Sequence, residues 1–154
     1  MTFNEVKGDL FTAPPEYALC HCISSDIEMG AGIARIFRDI GVRDELKAFD
    51  SINDGLDWWG RGFSISTICG KEFEKHPKGV FNLVTKEHYY DKPTLLTVRE
   101  ALLDAKWQME FLKVNKLAMP RIGCGLDKLE WAFVKEIIKD VFKDTDVDIL
   151  VFAI

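Results

Sequence analysis

The chain has 154 residues, a net charge of −5 and 47% apolar residues. That length fits one domain over 1–154 with a sizeable core, the acidic balance argues against a general nucleic-acid-coating role, and no run is long and apolar enough to span a bilayer. The opening MTFNEVKGDLF lacks a basic region followed by an apolar one, so no secretory signal is expected. A cytoplasmic location is the corresponding expectation, with the four cysteines (Cys20, Cys22, Cys69 and Cys124) as reduced thiols.

Residues 2–7 read as a short strand with Phe3 and Val6 as core contacts. The run YALCHCI (17–23) is almost continuously apolar, as in a strand covered on both faces. Residues 31–40 read as a helix and 42–49 as a second, shorter one. The Gly- and Asp-containing loop 50–60 carries Trp58 and Trp59, which either lid a ligand or, more plainly, plug the edge of the core. Strands are expected at 61–69 and 80–85. The clearest helix is 94–113, where Leu95, Val98, Leu102, Ala105, Met109 and Leu112 recur at spacings of three and four, with Thr94 as N-cap. A brief strand at 116–120 leads to RIGCGLD. An amphipathic helix at 129–143 places Trp131, Val134, Ile138 and Val141 on one side, and 147–153 is a final buried strand. Strands alternating with helices predict an α/β fold, a three-layer α/β/α sandwich around a mixed, mostly parallel sheet.

Two glycine loops occupy equivalent places. Gly30-Ala31-Gly32 precedes a helix, and Gly123-Cys124-Gly125-Leu126 lies between a strand and a helix. Ligands of open α/β sheets sit beyond the carboxyl ends of the strands. Loops there present backbone N–H groups, and helix N-termini add positive potential. Facing each other, the two loops would hold a diphosphate by backbone alone; taken singly, each is a turn. Neither is a Walker motif or a full dinucleotide fingerprint.

Four stretches taken together, VKGDLF (6–11), HCISSDIEMGAGIA (21–34), LVTK with KPT (83–86 and 92–94) and MPRIGCGLDKLEW (119–131), resemble the macrodomain family. The resemblance is to the branch containing terminal ADP-ribose protein glycohydrolase, and it runs over essentially the whole chain in order. It implies a cleft for ADP-ribose at the top of the sandwich. It implies that Asp9, with Leu10 beside it, meets the adenine. Gly30, Ala31, Gly32 and Ile33, with Ile122, Gly123, Cys124, Gly125 and Leu126, would wrap the diphosphate and distal ribose, and Ser24 would line the distal end. It implies Lys86 as a catalytic lysine attacking C1″ of the distal ribose, and Asp127 as the aspartate that resolves the adduct. The commoner macrodomain pattern has an Asn-rich loop where this chain has Ile23-Ser24-Ser25-Asp26, so mechanisms that use that loop do not transfer.

An amine attacks only when neutral, and lysine ordinarily titrates near ~10.4, so Lys86 needs local deprotonation. Read without the resemblance, Lys86 and Asp127 are a rim salt bridge and Asp9 is an Asp beside a Gly in a turn. Cys20, His21 and Cys22 raise a zinc site, but alternate strand residues point to opposite faces and no second ligand pair follows, so no metal is expected. Cys124 reads as a small apolar filler, and His76 and His88 as surface or loop residues. The implied activity is hydrolytic release of mono-ADP-ribose from a protein Glu/Asp ester or a DNA base, needing no cofactor, by a monomer with no membrane partner. The other function classes are a non-catalytic ADP-ribose reader and a phosphatase or deacetylase of free ADP-ribose derivatives.

Overall fold

The computed structural model describes residues 1–48, 55–68 and 74–154. Phe49, residues 50–54 and Cys69, which the sequence reading placed in a helix, a loop and a strand, lie outside the described residues. Six strands are described: β1 (Thr2–Lys7), β2 (Ala18–Ser24), β3 (Phe63–Thr67), β4 (Val80–Lys86), β5 (Lys116–Pro120) and β6 (Asp148–Ala153). The α-helices are α1 (Gly32–Asp39), α2 (Val42–Ala48), α3 (Leu95–Leu112) and α4 (Trp131–Phe142), and a 3₁₀ turn covers Leu10–Thr12. The sheet order is β1-β6-β5-β2-β4-β3. Every neighbouring pair is parallel except β3 with β4. The expected sandwich and mostly parallel sheet are therefore what the chain builds.

Period-two alternation sorts the strand side chains into two cores. Cys20, Phe81, Leu83, Leu117, Met119 and Val151 pack with Val98, Leu102, Ala105 and Met109 of α3 and Val134, Ile138 and Val141 of α4. Leu19, Ile23, Val84, Ala118 and Phe152 pack against Phe37 of α1 and Val42 and Leu46 of α2. Thr94 caps α3 through a capping box with Thr97. Leu95 and Leu112, expected on the buried face, are exposed as the first and last residues of α3. Val6 is also exposed because β1 is an edge strand, whereas Phe3 is half-buried beside Lys135 and Lys139 of α4. His76 corrects the surface reading: it is buried, and its Nε2 lies 2.8 Å from the Ala13 carbonyl oxygen.

Along the outer edge of β3, side chains of α3 occupy backbone groups that a further strand would use. Glu100 accepts from Gly62 N–H (3.3 Å), Asp104 accepts from Ser64 N–H (2.7 Å), and Gln108 donates to Ser64 C=O (2.7 Å). These three residues follow one another at i, i+4 spacing on a single ridge of the helix.

Candidate active site

The parallel strands β2, β4 and β5 end at one rim of the sheet, and a cleft of about 740 Å³ opens there. Lys86 is the last residue of β4. A bulge between Ile23 and Ser24 puts Lys86 opposite Ser24, so both reach the rim. Across the cleft, the loop after β5 brings Asp127 to Lys86, with Nζ 2.6 Å from Oδ1. Both side chains are largely buried, at 13% and 16% exposed. An ammonium and a carboxylate this close are a ready proton pair.

Gly30, Ala31, Gly32 and Ile33 line one side of the cleft, and Ile122, Gly123, Gly125 and Leu126 the other. The two loops face one another closely: a Cβ on Gly32 would stand 3.7 Å from Leu126 Cδ1. Gly32 (φ 60°) and Gly123 (φ 71°) hold left-handed backbone that side-chain-bearing residues adopt only at a cost. On Gly123 a Cβ would also stand 2.9 Å from Leu129 Cδ1. Ala31, the N-cap of α1, has no side chain to satisfy the first-turn N–H groups, and Gly32, Ile33 and Ala34 border the cleft. Uncapped N–H groups at a helix start suit an anion.

The remaining expected residues fall differently. Cys124 does not line the cleft; its thiol donates to the Ile122 carbonyl (3.3 Å) and packs toward the core, as a filler does. Leu10 is buried in the α1/α2-side core. Asp9 is exposed and accepts from Phe11 N–H (3.0 Å), the turn-capping role open to any Asp there. It stands at the end of β1, where Gly8 N–H donates to Ala153 C=O (2.8 Å), next to Ile154, which does line the cleft.

Sequence reasoning missed several cleft residues. Cys22 lines the floor, and burial pushes its thiol up to about 12, so it is a poor nucleophile. Lys92 reaches across to donate to the Leu126 carbonyl (2.9 Å), tying the β4–α3 loop to the loop that carries Asp127. Arg121 borders the cleft too, but Glu5 lies 3.6 Å away and Trp131 beneath it. Asp26 accepts from Ser24 Oγ (2.5 Å), Glu28 N–H (3.1 Å) and Tyr89 N–H (2.8 Å), which fixes the first glycine loop against the segment following Lys86. Lys92 opens the KPT stretch quoted above without having been assigned a role, and the only sequence signal for Tyr89 was its nearness to Lys86. Cys20 and Cys22 pack on one face of β2, while His21 stacks on Phe37 on the other at 4.0 Å, so the three do not converge.

No family profile matches the chain. A bovine (Bos taurus) protein named ADP-ribose glycohydrolase OARD1 is 36% identical over 149 residues, 97% of this chain and 90% of its own length. A DNA ADP-ribosyl glycohydrolase of Thermus aquaticus is 29% identical over 139 residues, 90% of this chain but 37% of that protein. Among solved structures, the macrodomain of Thermus aquaticus DarG superposes with a TM-score of 0.78 at 26% identity, covering 100% of this chain and 99% of that one. With this sheet order, this paired-loop cleft and that identity over nearly its whole length, the chain belongs to the macrodomain family, in the branch of the ADP-ribose glycohydrolases.

Proposed function

We propose that the protein is a hydrolase that removes single ADP-ribose units from a macromolecular acceptor, cleaving at C1″ of the distal ribose with Lys86 as nucleophile. The observation that carries this reading is the Lys86–Asp127 pair, 2.6 Å apart and set between the two glycine loops. The names of the relatives, ADP-ribose and DNA ADP-ribosyl glycohydrolase, support the reaction class. A partly buried lysine held by an acid supplies a nucleophile and a proton acceptor together, which binding alone does not require.

In this reaction the diphosphate lies between the Gly30–Ile33 and Ile122–Leu126 segments. Ser24 meets the distal ribose, and Asp9, at the β1 end, meets the adenine. Asp127 takes a proton from Lys86, whose amine then bonds to C1″. The C1″–O bond breaks, and its electron pair leaves with the acceptor carboxylate. Water replaces the lysine at C1″ while Asp127 returns a proton to the departing nitrogen and takes one from the water. A protein carboxylate is the preferred acceptor, since it is already a good leaving group.

The deciding experiment incubates the protein with Glu/Asp-linked mono-ADP-ribosylated protein, ADP-ribosylated DNA and O-acetyl-ADP-ribose. Release of ADP-ribose from the first supports the reading. Activity only on O-acetyl-ADP-ribose, or binding without turnover on all three, overturns it.

A further inference from the structure

A second groove, of about 690 Å³, lies on the α3 side of β3, apart from the cleft. Trp107 of α3 and Trp59 of the segment entering β3 border it, and both indoles are largely exposed, at 65% and 80%. Its lining includes three acids, Asp57, Glu100 and Asp104, against one base, Arg61, which pairs with Glu100 at 3.2 Å. Glu100 accepts from Gly62 N–H and Asp104 from Ser64 N–H, donors that bring no cation to the acids. The groove is thus aromatic-walled and net negative. Indole faces and carboxylates together attract ammonium and guanidinium groups.

Two backbone contacts link the wall of this groove to the rim that carries the cleft. Leu56 lines it, and Leu56 N–H donates to Ser25 C=O (2.7 Å), next to Ser24 of the cleft. Phe63, also in its wall, pairs with Val84, two residues before Lys86. An acceptor whose modified side chain sits at Lys86 has this groove beside it.

We infer that the groove docks a basic stretch of the acceptor polypeptide, with Lys or Arg side chains entering between Trp59 and Trp107 toward the acids. This rests on the hydrolase reading above and narrows its substrates. Negative charge here repels a phosphodiester backbone, so the groove selects protein over nucleic acid.

Two mono-ADP-ribosylated glutamate peptides, one flanked by Arg and Lys and one by Ala and Ser, test this with wild type, Trp107→Ala and Asp57→Lys. Both positions are exposed and lie outside the cleft, and an unchanged thermal shift with ADP-ribose confirms an intact fold and cleft. The expected result is a KM about ten-fold lower for the basic peptide with wild type, as for one or two cation–aromatic contacts. Either substitution should erase that difference without changing kcat. Equal KM values for the two peptides with wild type would overturn the inference, as would tighter binding of ADP-ribosylated DNA than of the basic peptide. Fluorescence anisotropy of the unmodified basic peptide reads the groove without turnover. Peptide binding lost in Trp107→Ala, with no hydrolysis of any substrate, would keep the groove and reject the hydrolase, whereas hydrolysis without peptide binding would do the reverse.

Discussion

Lys86 Nζ lies 2.6 Å from Asp127 Oδ1, although forty-one positions separate the two residues in the chain. Lys86 ends β4 and Asp127 lies on the loop that follows β5, so the contact depends on β2, β4 and β5 ending at one rim. An attacking amine acts at C1″, away from the groups that supply most ground-state affinity. Lys86→Ala and Lys86→Arg should therefore bind ADP-ribose like wild type and lose at least ~10²-fold in kcat. Asp127→Ala should accumulate an ADP-ribosyl adduct on Lys86, visible by intact mass and absent in Lys86→Ala. Normal turnover by Lys86→Arg would remove the nucleophile.

The glycine loops make a separable prediction. Valine at Gly32 or Gly123 costs about 1–2 kcal/mol for left-handed backbone alone. At Gly123 it also meets Leu129, and at Gly32 it narrows the gap to Leu126. Both variants should fold with a lowered Tm and show no further thermal shift with ADP-ribose. A full ligand shift in both would mean that the loops are only turns.

Lys92 offers a milder test. Lys92→Met keeps the aliphatic stem but removes the bond to the Leu126 carbonyl, which is 2.9 Å long and reaches the residue before Asp127. Loss of one exposed, charge-assisted hydrogen bond is worth about 1 kcal/mol, or about five-fold in kcat/KM. Identical steady-state parameters would show that the bridge positions nothing.

How much of this was legible beforehand depended on locality. The place of β4, the middle of the buried face of α3 and the Thr94 cap are written in neighbouring residues. So was the separation of His21 from its flanking cysteines, since strand alternation is local. The exposure of Val6 was not legible, because it depends on β1 lying at the sheet edge. Nor was burial of His76, since only the tertiary approach of Ala13 satisfies its ring nitrogen. Cys22 lines the cleft, and alternation cannot say where along a strand such an opening falls. The glycine loops could be read as motifs; the Lys92 bridge and the Asp26 clamp could not, because each joins segments distant in the chain.

His21 predicts acid sensitivity. It is buried, its Nε2–H donates to Asn82 Oδ1 (2.6 Å), and Nδ1 has no partner among the described residues. Burial lowers its pKa from 6.5 to about 4, against a smaller opposing effect of Asn82. Above 6.5 neither the folded nor the unfolded chain carries the proton. Below that value the unfolded chain binds it first. Stability is therefore fully present above about 6.5, falls as pH drops, and stops falling from this source below about 4. The loss is on the order of 3 kcal/mol across the window. Urea unfolding at pH 7 and pH 5 should show it, and His21→Gln should flatten it. An unchanged slope in that variant would assign the acid sensitivity elsewhere.

The ridge of Glu100, Asp104 and Gln108 along β3 bears on how these molecules meet in a crowd. The last strand of a sheet is ordinarily a template, and a foreign strand laid beside it gains hydrogen bonds at little cost. Here Gly62 and Ser64 have already given those bonds to side chains of their own chain. A newcomer would have to evict two carboxylates and an amide before pairing with either residue. Exposed tryptophans line the same groove as this border, a combination that elsewhere invites fibre growth. With these first groups of the border already taken, a strand laid beside them finds no partner at the end nearest the sticky surface.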